Sequence, residues 1–289
     1  MGAGDWIDVG HARLAYRRVG RGPDLVFIHG WPLHSETYRH VLPSLTEDYT
    51  CHLIDLPGAG GSTWTEHTRF SLQAHAETMA TALHALKLDR YMLVAHDSGA
   101  GIARLLAADD PRVVGLISGP TEIPGHDPWL VAMYRMTLML PGGAALIGLL
   151  MGVGLVLRSP FGFAGCFRDP RHALGEFRDL FIAPLVSHPD RLEAQLRLLA
   201  SFRAPSIEAL REAHGKIDVP VRLVLGTDDG IFPIRKSRAM MQQFAGPVTT
   251  VEIPGARAFL HEDHPNHFAA QILEHAATCF SADTARAVS

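Results

Sequence analysis

The sequence predicts an α/β fold: a mostly parallel open sheet with helices on both faces and a helical cap inserted between two strands. Three observations predict it. Short, nearly continuous apolar runs recur along the chain, as expected of strands covered on both faces. Helical patterns separate them, which calls for parallel crossovers. From about Glu122 to Lys216 the strand rhythm lapses, and it resumes at Val221.

The strand candidates, in order, are LVFIHG (25–30), TCHLIDLPG (50–58), RYMLVAH (90–96), VVGLIS (113–118), VRLVLG (221–226) and VTTVEIP (248–254). LQAHAETMATALHALKL (72–88) and GAGIARLLAAD (99–109) read as helices between them. This divides the chain into a core of residues 1–121 and 217–289 and a helical cap of 122–216. Ligands of open α/β sheets bind at the carboxyl ends of the strands, so such a cap would cover the site.

Within the cap, Met136 to Leu157 carries no charge and has arginines on both sides. The length could span a bilayer, but Pro141-Gly142-Gly143 breaks it near the start and no second span accompanies it. A buried or lid helix is the expectation, ahead of membrane-surface or dimer contact, with no membrane span.

The 289 residues suit one large domain with an insertion. A formal net charge of −4 offers no basic footprint for nucleic acid. Cys51, Cys166 and Cys279 are odd in number and lack metal-ligand spacing, which fits a reduced, cytoplasmic compartment. The N-terminal stretch lacks the charged-then-apolar order of a signal peptide, and Trp6 stands where a myristoylation signal needs Ser or Thr. GAGG (58–61) lacks the remainder of a dinucleotide fingerprint, so no nucleotide, metal or organic cofactor is expected.

The chemistry concentrates at strand ends. In VAHDSGAG (94–101) an apolar strand enters a helix through a sharp turn, the setting of a nucleophile elbow. That turn needs small residues two before and two after the nucleophile. Centred on Asp97 the flanks are Ala95 and Gly99; centred on Ser98 they are His96 and Ala100, and His96 is too bulky. Asp97 is therefore the candidate nucleophile. An Asp that merely caps the helix would not account for the small flanks. HGWP (29–32) follows another strand and can aim the Trp31 N–H at the same centre. With the Ser98 N–H it would make a two-donor oxyanion hole.

FIHGWP, IDLPGAGGS, VAHDSGAG, GTDDGIFP and PGARAFLHEDHP occur in an order and spacing that resemble the α/β-hydrolase superfamily over essentially the whole chain. An Asp at the elbow is similar to epoxide hydrolases and haloalkane dehalogenases rather than to serine esterases and lipases. The resemblance implies that Asp97 attacks carbon to form an alkyl-enzyme ester. A His-activated water then hydrolyses the ester, and an acidic residue orients the His. It puts that acid at Asp229. Asp228 is one residue off, and Glu122 is an alternative because some dehalogenases use a carboxylate there.

Aligning Phe259 and Glu262-Asp263-His264-Pro265 with the last motif puts the expected His at Ala258. His261, His264 and His267 fall three, six and nine residues too late. Their spacing could suggest a metal site, but Pro265 interrupts any shared helix, and a solvated polar loop is expected. The base is missing. Two origins fit: an introduced His→Ala substitution that halts the second half-reaction, or a natural loss that leaves a binding protein.

On substrate class, dehalogenases commonly cradle halide with a Trp directly after the nucleophile, where this chain has Ser98, and many carry Asn at the place of Trp31. The aromatic in HG-x-P looks like an epoxide hydrolase. Those enzymes protonate the opened epoxide with two cap tyrosines. Tyr134, seven residues before Pro141, occupies the first place; Phe202 stands at the second. His172 or His188 could substitute, although exposed polar roles are expected for both. The apolar cap suggests a lipophilic substrate. The leading expectation is an epoxide hydrolase impaired in ester hydrolysis, with no nucleic-acid partner and a homodimer open. The rivals are a haloalkane dehalogenase, a serine esterase through Ser98, and a non-catalytic ligand receptor.

Overall fold

The structure, a computed structural model, describes residues 5–288, with side chains through residue 281. The first four residues of the N-terminal stretch lie outside the described residues.

An antiparallel pair, β1 (Asp5–Asp8) and β2 (Ala12–Gly20), edges the sheet. β2 buries Ala12, Leu14 and Tyr16 on one face and turns Arg13, with the half-buried Ala15 and Arg17, to the other. That alternation belongs to a strand with one covered face, and a search for continuous apolar runs passes over it. There follow β3 (Asp24–Ile28), β4 (Thr50–Ile54), β5 (Thr63–Trp64), α1 (Leu72–Ala85), β6 (Tyr91–Ala95), α2 (Asp97–Asp109) and β7 (Val113–Ser118). Ser71 caps α1 by accepting a hydrogen bond from the Ala74 N–H at 3.1 Å.

Between β7 and the next strand come the helices of the insert: α3 (Trp129–Leu138), α4 (Gly143–Gly152), α5 (Gly154–Leu157), α6 (Ala183–Ser187), α7 (Pro189–Ser201) and α8 (Ala204–His214). The chain closes with β8 (Val221–Gly226), α9 (Ile234–Met240), β9 (Val248–Ile253), α10 (Leu260–Asp263) and α11 (Pro265–Val288). The sheet order is β1-β2-β4-β3-β6-β7-β8-β9, with β5 against β2; from β4 through β9 all neighbours along that path are parallel. The six runs read from the sequence are all strands, most of them ending one to four residues earlier than the apolar runs because glycine, proline and polar turn residues follow.

Two apolar layers sandwich the sheet. Val26, Ile28, Leu93 and Ala95 join the layer of α1, α2 and the insert. Leu25, Phe27, Met92 and Val94 face the opposite way, against Phe268, Ile272 and Ala276 of α11. Each such side chain contributes roughly 1.5–3 kcal/mol by leaving water. Arg104, on α2, is fully buried and donates to His214 Nε2 of α8 at 3.0 Å, which ties the end of the insert to the elbow helix.

The uncharged run 136–157, expected as a buried or lid helix, lies in the insert but is not one continuous helix. It divides among α3, α4 and α5 at Pro141-Gly142 and Val153, and most of its large side chains face outward. Among the described residues no helix is long and apolar enough to cross a membrane.

Candidate active site

The site is assembled where β3, β6, β7 and β8 end. At the end of β6 the backbone of Asp97 takes φ 51°, a left-handed conformation that a residue with a side chain adopts only under constraint. Glycines make the turn possible. A Cβ on Gly99 would lie 2.4 Å from the carbonyl oxygens of Ile28 and His29, and one on Gly30 would lie 2.4 Å from Asp97 Cβ. α2 can therefore start against the end of β3, which brings Trp31 to the nucleophile candidate. The Asp97 N–H donates to the Pro120 carbonyl at 2.7 Å and fixes the elbow to the loop after β7.

Asp97 Oδ1 accepts from the Ser98 N–H at 2.6 Å and from the Trp31 N–H at 3.0 Å. The Trp31 N–H divides between that oxygen and Ser98 Oγ at 2.9 Å. Asp97 Oδ2 accepts no hydrogen bond from the described residues, and Asp97 lines a cavity. Burial raises its pKa to about 6, against the pull of the backbone donors. The Ser98 side chain is buried and does not line the cavity. His29 supports the turn: its Nε2 accepts from the Leu56 N–H at 2.9 Å while Nδ1 lies 3.1 Å from the Gly30 carbonyl, and burial keeps it neutral, with a pKa of about 4. Asp55 accepts from the Ser35 and Gly61 N–H groups and holds the LPGAGG turn beside it.

After β8, Asp228 is exposed while Asp229 is buried. Asp229 Oδ1 accepts from the N–H groups of Ile231 and Phe232 at 2.8 and 2.9 Å, but its buried Oδ2 has no partner. Burial, assisted by the charge of Asp97, raises its pKa to about 7 despite those two donors. Ala258, buried in the same apolar layer, supplies no polar group there. The Phe259 N–H bonds the Cys166 carbonyl at 2.9 Å and pins this loop to the insert.

His261 departs from expectation. It is fully buried rather than in a solvated loop, because α10 turns it inward beneath the end of the sheet. Its ring stacks on His96 with centroids 3.7 Å apart, its Nε2 lies 2.6 Å from Thr37 Oγ1, and burial holds it neutral, with a pKa of about 3. His264 and His267 flank the α10–α11 break, their rings 5.9 Å apart. No three His, Cys, Asp or Glu among the described residues are grouped to hold a metal ion. His172 pairs with Asp263 and His188 bonds the Pro184 carbonyl; both are exposed and neither lines the cavity.

The cavity is narrow, about 70 Å³. Trp31, Asp97, Glu122, Tyr134, Phe202 and Phe259 line it, together with apolar side chains of the insert. Tyr134 donates its hydroxyl proton to the Phe161 carbonyl at 2.6 Å, and Trp31 Nε1 donates to the Gln195 carbonyl at 2.9 Å. Glu122 is held by burial, and by the charge of Asp97, at a pKa of about 7. Thr121 Oγ1 accepts from Arg104 at 2.8 Å and stands 2.9 Å from both the Asp97 carbonyl and Glu122 Oε2.

Two of these features escaped the sequence reading. Cys166 lines the cavity, its thiol pushed well up by burial and then by the charge of Asp97. The Arg104–Thr121–Glu122 network lies behind the elbow. Its one sequence signal was an arginine inside the small, apolar helix GAGIARLLAAD.

Residues 23–131 match the family model for the alpha/beta hydrolase fold. Over 95% of its length the chain is 28% identical to the magnesium-chelatase 30 kDa subunit of Rhodobacter capsulatus, 92% of which is covered. It is 25% identical to haloalkane dehalogenase 2 of Mycobacterium tuberculosis, with 93% of each protein aligned. Among solved structures, the epoxide hydrolase CorEH matches with a TM-score of 0.79 at 23% identity, over 94% of this chain and 97% of that one. With the sheet order and the elbow on the same chain, this protein has the α/β-hydrolase fold.

Proposed function

We propose that the protein opens epoxides through an ester on Asp97 and, with Ala258 in place of a base, releases the product slowly or not at all. One observation carries the reading: Asp97 lines the cavity, and its Oδ1 is held by two backbone N–H groups while Oδ2 accepts no hydrogen bond from the described residues. That polarity suits an attacking oxygen on one side and a future ester carbonyl in an oxyanion hole on the other. Oδ2 attacks a ring carbon, the carbon–oxygen bond of the epoxide breaks, and its electron pair goes to the oxygen. The alkoxide takes a proton from Tyr134 or from Glu122, which keeps its proton up to about pH 7. Hydrolysis of the ester then needs a water deprotonated beside Asp229, and position 258 offers no group for that.

Two features favour epoxide over halide. Trp31 Nε1 is committed to the Gln195 carbonyl, and Ser98, directly after the nucleophile, carries no ring N–H. The insert serves in this reading as the cap over the site. The likeness to CorEH supports it; the likeness to haloalkane dehalogenase 2 keeps a dehalogenase as the enzyme rival.

The test is intact-protein mass after incubation with a panel of aromatic and aliphatic epoxides and haloalkanes, with D97A as control. An adduct of whole epoxide mass, absent in D97A, is expected. A haloalkane adduct lacking halogen would transfer the assignment to dehalogenase.

A second reading, a ligand-binding protein without chemistry, draws on Ala258, on the likeness to a chelatase subunit and on a cavity well below the roughly 300 Å³ of an ordinary ligand site. It expects saturable binding with neither adduct nor turnover, even after A258H.

A further inference from the structure

We propose that the outer face of α3, α4 and α5 docks on an anionic lipid surface. Among the described residues, ten of the eleven large hydrophobic side chains that stand exposed lie between Trp129 and Phe161; the other is Trp6. Met139 is 81% exposed and Leu149 69%. Single exposed hydrophobics are ordinary, but a contiguous patch of this kind marks a contact surface. α4 (GAALIGLLMG) has no polar side chain at all: Ile147 and Met151 pack inward, while Leu146, Leu149 and Leu150 face out.

Charge decides between a lipid surface and a second copy of the chain. From Pro128 to Phe167 the only charged side chains are Arg135 and Arg158, with no carboxylate. Arg135 pairs with Asp127. Arg158 is exposed and makes no ion pair among the described residues. Self-docking through this face would bring the unpaired Arg158 of each copy to a surface with no carboxylate between residues 128 and 167 to neutralise it. Anionic headgroups neutralise it directly. The break at Pro141-Gly142 and the shortness of each helix fit a segment lying in the interface rather than crossing it. Trp129 and Phe161 meet edge to face, with centroids 6.1 Å apart, at the patch border, where an aromatic pair suits the headgroup level.

The same segments reach the cavity. α3 turns Trp129 and Met136 outward and Leu130, Val131 and Tyr134 inward; Phe161 is exposed, and Gly162 and Phe163 after it line the cavity. The docked face therefore borders the route to Asp97, so a substrate could enter from the bilayer. Only that last point rests on the proposed function; docking itself does not.

The experiment is flotation of the full chain with vesicles of phosphatidylcholine alone or with about a quarter phosphatidylglycerol, beside light scattering without lipid. The wild type is expected to float with the anionic vesicles. M139D/L149D, both at exposed positions and checked for folding by thermal melting, should lower the partition coefficient by about tenfold or more. R158E should lower it by roughly tenfold on anionic vesicles and little on neutral ones. Absence of the wild type from both kinds of floated vesicle would overturn the proposal. So would a concentration-dependent dimer that M139D/L149D abolishes while no lipid binding is seen.

Discussion

The two carboxylates of the candidate site, Asp97 and Asp229, begin alike and end differently. Each sits after a parallel strand and each gives one oxygen to a pair of backbone N–H groups. Asp97 lines the cavity, and its second oxygen accepts no hydrogen bond from the described residues. At Asp229 the second oxygen is buried with nothing to accept from. Backbone donors come with the fold and persist whatever the side chains do; the partner of the second oxygen must come from another residue, and in the function proposed above that residue would stand at 258, where this chain has Ala. The elbow is thus complete as geometry, whereas the acid is an acceptor without its donor.

The largest effect should come from supplying that donor. A258H is expected to raise multiple-turnover hydrolysis of whichever epoxide forms the Asp97 adduct by about 10²–10⁴-fold, the range of a positioned general base. An adduct that persists undiminished in A258H would show that Asp229 is not poised to orient a base.

Next in size is the elbow itself. G99A forces a Cβ to within 2.4 Å of two carbonyl oxygens of β3 and its extension. It should destabilise the protein by about 1–3 kcal/mol and slow adduct formation. Unchanged urea midpoints would mean that α2 does not depend on this close approach.

Asp229 should govern a smaller, pH-dependent term. Its pKa rises from 3.8 in the unfolded chain to about 7 in the folded one. The folded state therefore keeps a proton that the unfolded state gives up, and this favours folding at low pH. The benefit is lost as pH rises from 3.8 through about 7. D229N removes the titration, so it should flatten the fall in stability between about pH 4 and pH 7. An equal slope in wild type and D229N would break the contrast between the two carboxylates.

The smallest effect concerns Glu122. Adduct formation should rise through about pH 6 as Asp97 ionises and fall above about pH 7 as Glu122 loses its proton. E122Q should slow it by roughly threefold near neutrality and remove the falling limb. A profile that keeps the fall in E122Q would show that Glu122 is not the proton source.

Much of the sheet was legible because its strands are covered twice. Leu25-Val26-Phe27-Ile28 has no polar position, since its alternate residues enter different apolar layers. β1 and β2, with one covered face and arginines on the other, lacked that signature. The elbow was legible for a steric reason, the need for Ala95 and Gly99 around Asp97. The acidic stretch after β8 could be narrowed to two residues, and burial distinguishes Asp229 from Asp228. His261 was misjudged, since its polar neighbours in sequence are not its neighbours in space: Thr37, Tyr38 and His96 arrive from distant segments. The insert was the least legible. Its apolar run was expected to be a buried or lid helix, and hydropathy alone does not say whether the cover is protein or something else.

The alternation in β3 also constrains how this chain can change length. Val26 and Ile28 belong to one layer, Leu25 and Phe27 to the other, and the Trp31 N–H follows three residues on. Deleting or adding one residue there would exchange the two sets and carry Trp31 about 3.3 Å along the strand, away from Asp97. Insertions and deletions among relatives should accordingly be excluded from the stretch between Leu25 and Trp31 and gather in the long excursion between β7 and β8, where no strand register is at stake.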